Sequence, residues 1–188
     1  MPVTKLLIAN RGEIAIRVIR AAAGLGIRTV AIYSEDEDRA LHVRAADEAH
    51  QLTGQGVMPY LDIAQVVAAA VANGCDAVHP GYGFLSENAN FAQACADVGI
   101  TFVGPSVGAL SLFGDKLRAR ALAEVEGVPV LPGTLAEVDA DAARTFMASL
   151  GGAPVIVKAV AGGGGRGMRV VRTPEEIEDA VKRASSEA

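Results

Sequence analysis

The sequence predicts an α/β protein: a parallel sheet with helical crossovers, followed by a smaller α+β segment. Three observations carry the prediction. Short apolar runs alternate with helical patterns over residues 3–103, glycine and proline stand at the boundaries between them, and the alternation breaks after Gly104 and Pro105. Strands that alternate with helices require right-handed crossovers and a parallel sheet, and such sheets hold ligands at the carboxyl ends of their strands.

The elements follow in order. Residues 3–9 form an apolar run expected as the first strand, and a helix starts near Glu13. Asn10 has the chemistry of a cap for that helix, with Glu13 three residues on to complete a capping box, and Gly24 and Gly26 mark its end. Along it Ile14, Val18, Ala21, Ala22 and Leu25 fall on one face and Glu13, Arg17 and Arg20 on another. Strands at 29–33, 48–52, 77–79 and 101–103 alternate with helices near 37–45, 62–72 and 88–98; Asn73, Gly74 and Gly99 close the last two helices.

Beyond residue 104 the pattern predicts helices at 107–113 and 115–126, then a loop at 127–133 with two prolines and two glycines that marks a domain junction. A helix near 139–149, strands at 154–159 and 168–172, and a final helix complete the chain. Thr173, Pro174 and Glu176 give that last helix a capping-box start. Two strands and two helices bury too little surface to stand alone, so this segment is expected to be the opening of a larger domain.

Composition narrows the function. The chain has 188 residues, 51% of them apolar, and a net charge of -5, which places it among globular proteins with a sizeable core. No block of lysine and arginine is present to neutralise nucleic-acid phosphates. No apolar run approaches the roughly 20 residues that cross a bilayer, and residues 1–2 look like an untrimmed terminus, so a cytoplasmic protein is expected. Cys75 and Cys95 lack paired metal-ligand spacing and are expected as reduced thiols.

Three stretches carry chemistry. Gly162, Gly163, Gly164, Gly165, Arg166 and Gly167 lie between two strands. Gly162, Gly164 and Gly167 satisfy the expression of a dinucleotide fingerprint, but strand rather than helix follows, and no Gly-Lys-Ser/Thr completes a Walker loop. What remains is a flap whose bare backbone offers successive N–H groups to anionic oxygens, with Lys158 at the end of the entering strand and Arg166 as added charges. A plain glycine hairpin is the bland reading. It is disfavoured by the entropy of four consecutive glycines, about 1 kcal/mol each relative to alanine.

The second stretch, 79–90, begins where the fourth strand ends, with Gly81 and Gly83 bracketing Tyr82 and with Ser86 or Asn88 able to cap the next helix. A structural turn and a ligand loop both fit it, and His79 taken alone fits a structural histidine. The third is Gly114, Asp115 and Lys116. Asp115 suits a helix cap, whereas Lys116 in the first turn has the wrong sign for the helix dipole unless an anion lies nearby or the side chain turns into water.

Taken together and in order, residues 8–14, 79–90, 114–116 and 158–168 resemble the amino-terminal half of biotin carboxylases, members of the ATP-grasp superfamily. The resemblance covers the whole chain. It implies a preATP-grasp (Rossmann-like) domain over 1–113, a helical connector over 114–133 and the start of an ATP-grasp lid subdomain over 134–188. Those enzymes carboxylate biotin, carried on a lysine of a carrier domain, from bicarbonate and MgATP through a carboxyphosphate intermediate.

By that resemblance Lys116 and Lys158 contact nucleotide phosphates, the glycine run forms the lid loop around Gly164 and Gly165, and Met168 lies beside the nucleotide. Tyr82 and Gly83 border the biotin pocket, and Arg17 and Arg20 match a homodimer face. A carrier domain and a carboxyltransferase are the implied partners. Ala161 stands where many members carry glycine, and Val160 where some carry serine. The Mg²⁺ ligands, the general base and the arginines for bicarbonate and biotin lie beyond Ala188 in the family, so no catalytic or metal-binding residue is assigned to this chain, and alone it is expected to be inactive. The final carboxyl acceptor, an acyl-CoA or pyruvate, is not encoded in these motifs. A carbamoyl-phosphate synthetase or other ATP-grasp ligase, and a non-catalytic dimerisation or nucleotide-binding module, stand as the rival readings.

Overall fold

The computed structural model describes residues 2–134, 136–158 and 168–186. Two compact units divide the chain, Met1–Gly114 and Asp115–Ala188. In the first, strands β1 (Lys5–Ile8), β2 (Arg28–Tyr33), β3 (Glu48–Gln51), β4 (Ala77–His79) and β5 (Thr101–Phe102) form one parallel sheet in the order β3-β2-β1-β4-β5. Helices α1 (Gly12–Gly24), α2 (Leu41–Ala45), α3 (Ile63–Ala72), α4 (Ala89–Asp97) and α5 (Val107–Phe113) join or follow them, and a 3-10 turn at Met58–Leu61 precedes α3.

The alternation of side chains along the strands sorts the core into two layers. Leu7, Val30, Ile32 and Val78 share one with Val66, Phe91 and Cys95 of α3 and α4. Leu6, Ile8 and Ala77 share the other with Ala15, Ile19 and Ala22 of α1. Burial on both faces explains why these strands are near-continuous apolar runs.

The buried stripe of α1 differs from the expected face. Ala15, Ile19 and Ala22 form it, while Ala21 is exposed and Leu25, beyond the helix end, is 77% exposed. The cap also differs. The helix begins after Arg11 without a side-chain cap, because the amide of Asn10 is engaged elsewhere. Asn88, not Ser86, caps α4 by accepting from Phe91 N, and Asp62 caps α3 by accepting from Gln65 N.

The second unit contains α6 (Lys116–Val125), α7 (Ala140–Ser149), an antiparallel pair β6 (Val155–Lys158) and β7 (Met168–Val171), and α8 (Ile177–Ser186). Val155, Val157 and Val171 pack with Met147 of α7 and with Ile177 and Ala180 of α8, covering one face of the ribbon. At the start of α8 the capping box is altered. Residues Pro174–Glu176 form a 3-10 turn, Thr173 makes no side-chain cap bond, and Glu176 reaches back to Arg172 N at 2.7 Å.

Candidate functional site

In a sheet of order β3-β2-β1-β4-β5 the chain leaves β1 towards one edge and later returns to β4 on its other side. The loops after β1 and β4 therefore meet at the topological switch point, where open α/β sheets bind ligands. Ile8 is in register with His79, and Ala9 N donates to His79 O at 2.9 Å, so the 9–11 and 79–90 loops leave the sheet side by side.

Asn10 joins them. Almost fully buried, it donates through Nδ2 to Pro80 O at 2.7 Å and to Tyr82 O at 3.0 Å, while its Oδ1 accepts from Arg11 N at 2.9 Å. Gly81, at φ +67, lies so close beneath this amide that a Cβ there would sit 2.6 Å from Asn10 Nδ2 and 2.7 Å from Ile14 Cγ2. His79 accepts from Gly81 N through Nδ1 at 2.9 Å, and burial holds its pKa below the ordinary histidine value. A neutral imidazole is what that acceptor role needs, so His79 is a structural histidine.

Between the two arms the turn presents Tyr82, which is 70% exposed. Gly83 and Phe84 follow at φ 70 and φ 44. A left-handed conformation costs a residue with a side chain about 1–2 kcal/mol, and Phe84 is held there by its stack on the buried ring of Tyr60, with centroids 5.5 Å apart. Such a stack contributes about 0.5–1.5 kcal/mol beyond burial, the same order as the strain.

The end of β2 is occupied differently from a dinucleotide-binding sheet, whose acidic residue there holds a ribose. Glu35 and Asp36 accept from Gly54 N and Gly56 N, each at 3.0 Å, and the Gly56 amide holds the Asp36 carboxyl below the usual carboxylate range. Those carboxylates are committed to the protein's own backbone.

In the second unit Lys158 and Met168 are direct cross-strand partners, and Ile156 faces Val170 two positions along. All four are exposed on the face opposite the helices. The ribbon thus offers a cation beside an apolar platform, the two features a nucleotide needs for its phosphates and its base. Ile156 and Val170 escaped the sequence reading, although the period-2 pattern of the two strands places them on the face of Lys158 and Met168.

Lys116 is the first residue of α6, where Asp115 caps the helix by accepting from Leu117 N at 2.9 Å and Arg118 N at 3.1 Å. Gly162, Gly163, Gly164, Gly165, Arg166 and Gly167 lie outside the described residues. Arg17 and Arg20 line an open groove with Glu13 and Ile16 of α1 and Leu41 and His42 of α2. Cys75 and Cys95 are buried free thiols, each pushed up to about 11 by burial, which leaves no reactive thiolate at neutral pH. Among the described residues no three His, Cys, Asp or Glu side chains are grouped to hold a metal ion, and no helix is long and apolar enough to cross a membrane.

Comparison with known proteins gives consistent matches. The family "Biotin carboxylase, N-terminal domain" matches residues 2–110, and "Carbamoyl-phosphate synthase L chain, ATP binding domain" matches residues 115–188. Mitochondrial pyruvate carboxylase of Rattus norvegicus is 53% identical over 190 residues, covering 100% of this chain and 16% of that protein. Biotin carboxylase 1 of Bacillus subtilis is 49% identical over 187 residues, covering 99% of this chain and 42% of that protein.

Among solved structures, the biotin carboxylase domain dimer of Hydrogenobacter thermophilus 2-oxoglutarate carboxylase, in complex with MgADP, ADP and bicarbonate, superposes with a TM-score of 0.95. It is 46% identical and covers 100% of this chain and 42% of that one. The biotin carboxylase-β,γ-ATP complex of Campylobacter jejuni gives 0.95 at 44% identity, with 100% and 42% coverage. These relatives, which match across both units, are carboxylases, which disfavours a carbamoyl-phosphate synthetase. The chain spans 42% of the biotin carboxylase and 16% of the pyruvate carboxylase.

Proposed function

Because the chain belongs to the biotin carboxylase family, matching its amino-terminal domain over residues 2–110, we propose that it supplies the nucleotide-side and part of the biotin-side surface of a biotin carboxylase. The observation that carries this reading is the exposed ribbon face on which Lys158 stands opposite Met168 and Ile156 opposite Val170. Lys158 would meet a phosphate oxygen as a compact point charge, and Ile156, Met168 and Val170 would take the purine ring. The glycine run of 162–167, with Arg166, would close over the phosphates through its backbone N–H groups, and Lys116 would approach the same anion from the start of α6.

MgATP, when bound, would supply the phosphoryl group that activates bicarbonate as the carboxyl donor. This chain's own residues would bind and orient it. The Tyr82–Gly83 turn would border biotin, where a rigid backbone at the switch point sets the position of the ring. The Mg²⁺ ligands and the general base would come from residues outside this chain.

We further propose the domain division 1–113, 114–133 and 134–188, a second copy docked through Arg17 and Arg20 of α1, a carrier domain and a carboxyltransferase as partners, and a cytoplasmic setting. The test is a pair of assays. This chain alone should release no ADP in response to bicarbonate and biotin, since phosphoryl transfer without metal ligands and an oriented nucleophile lacks its electrostatic support. The polypeptide extended through the remainder of the carboxylase should release it. Biotin-dependent ADP release by this chain alone would refute the proposal.

A further inference from the structure

We propose that Tyr60 is a positioning residue for the biotin-side turn, and that Glu37 and Arg11 tie it to the loop that clamps the same turn from the other end. The inference rests on the reading of Tyr82 and Gly83 as the border of the biotin pocket. Three residues of the turn are left-handed, Gly81, Gly83 and Phe84, and Phe84 is the only non-glycine with positive φ among the described residues. A phenylalanine stays there only if its surroundings over-determine it.

Tyr60 provides that constraint. Its ring, fully buried, stacks on Phe84 with an interplanar angle of 18°. The ring is itself fixed by a polar circuit: its hydroxyl donates to Glu37 Oε2 at 2.6 Å and accepts from Ser34 N at 3.3 Å. The other oxygen of Glu37 pairs with Arg11, whose guanidinium lies 6.0 Å from the centre of the Tyr60 ring. Arg11 N in turn donates to Asn10 Oδ1, and Asn10 Nδ2 returns to the carbonyls of Pro80 and Tyr82.

The circuit therefore starts and ends on the turn. Asn10 holds Pro80 and Tyr82, and Tyr60 holds Phe84, the residue after Gly83, with Glu37 joining the two arms. A buried hydroxyl needs a partner in any case; what sets Tyr60 apart is that its partner Glu37 leads through Arg11 and Asn10 back to the same turn. Tyr60 does not itself face the ligand turn with a reactive group; it acts through Phe84.

The test uses the intact carboxylase that carries this chain, assayed on free biotin with biotin and ATP titrated separately. Tyr60→Leu keeps an apolar side chain but removes ring and hydroxyl. The KM for biotin should rise about tenfold while the KM for ATP stays within about twofold, because only the biotin border is displaced. Tyr60→Phe, which keeps the stack but loses the bond to Glu37, should raise the KM for biotin about threefold, between the parent and Tyr60→Leu.

Should Tyr60→Leu not fold, Phe84→Gly decides. Phe84 is only half-buried and glycine suits its backbone angle, so the stack is lost without strain, and the KM for biotin should again rise about tenfold. A folded Tyr60→Leu or Phe84→Gly variant with parental KM for biotin overturns the inference, as does an equal rise in both KM values. A parent that does not carboxylate biotin at all refutes the underlying reading of the turn, a result distinct from an active parent with unaffected variants.

Discussion

Gly81→Ala should be among the most destabilising single-methyl additions in the first unit, and its cost can be built from the geometry. The backbone at φ +67 imposes about 1–2 kcal/mol on any residue with a Cβ. The new methyl would also stand 2.6 Å from Asn10 Nδ2 and 2.7 Å from Ile14 Cγ2, closer than real Cβ contacts allow. Asn10 is 1% exposed and cannot swing into water, so it must give up its bonds to Pro80 O and Tyr82 O. At about 1 kcal/mol per bond the total is about 3–4 kcal/mol.

Gly83→Ala is the internal control, because its φ is +70 but nothing lies within 4 Å of the point where its Cβ would stand. It should cost only the conformational part, about 1–2 kcal/mol. Thermal unfolding followed by far-ultraviolet circular dichroism should show Tm falling by about 12–16 °C for Gly81→Ala and about 4–8 °C for Gly83→Ala, at about 4 °C per kcal/mol for a unit of this size. If Gly81→Ala costs no more than Gly83→Ala, the clamp by Asn10 does not hold the turn.

Three further outcomes are expected. Burial lowers the pKa of both His42 and His79 from the ordinary histidine value of 6.5, so below that pH the unfolded chain takes up protons that the folded one refuses. Stability should be full above about pH 6.5 and fall on acidification by about 1.4 kcal/mol per pH unit for each histidine until the folded pKa is reached; denaturant midpoints between about pH 7.5 and 5 should show this, and His42→Asn should reduce the slope. Asn88→Ala removes the cap of α4 and should cost about 1 kcal/mol in urea unfolding, whereas Ser86→Ala, which removes no cap, should be near neutral. Lys158→Ala in the extended polypeptide should weaken ATP binding about 10- to 100-fold by calorimetry, the loss of one charge-assisted contact of about 1.5–3 kcal/mol, and an unchanged Kd would remove Lys158 from the site.

What the sequence made legible was local. The β-α alternation, the Asp115 cap and the glycine closures are each written within a few residues, and the structure has them where period and turn chemistry put them. Asn10 shows the limit. As an isolated residue before a helix it has the chemistry of a cap, but its amide bonds to carbonyls about seventy positions away, and no local pattern announces that.

Tyr60 is invisible in the sequence for the same reason. It lies in a 3-10 turn without amphipathic period, and its partners Phe84, Glu37 and Arg11 come from three other loops. Leu25 falls on the buried face of α1 only if the helical period is extended one residue past Gly24, where the helix ends. Ile156 and Val170 are recoverable, since alternation along two paired strands fixes their face once Lys158 and Met168 are chosen.

The most direct test of the whole account is transfer of label from ¹⁴C-bicarbonate to free biotin by the intact polypeptide that contains this chain. Acid-labile carboxybiotin is expected, formed only with ATP and Mg²⁺ and lost when Lys158 is replaced by alanine at limiting ATP. Label appearing in carbamoyl phosphate, or no transfer to biotin by a folded polypeptide that binds ATP, would contradict it.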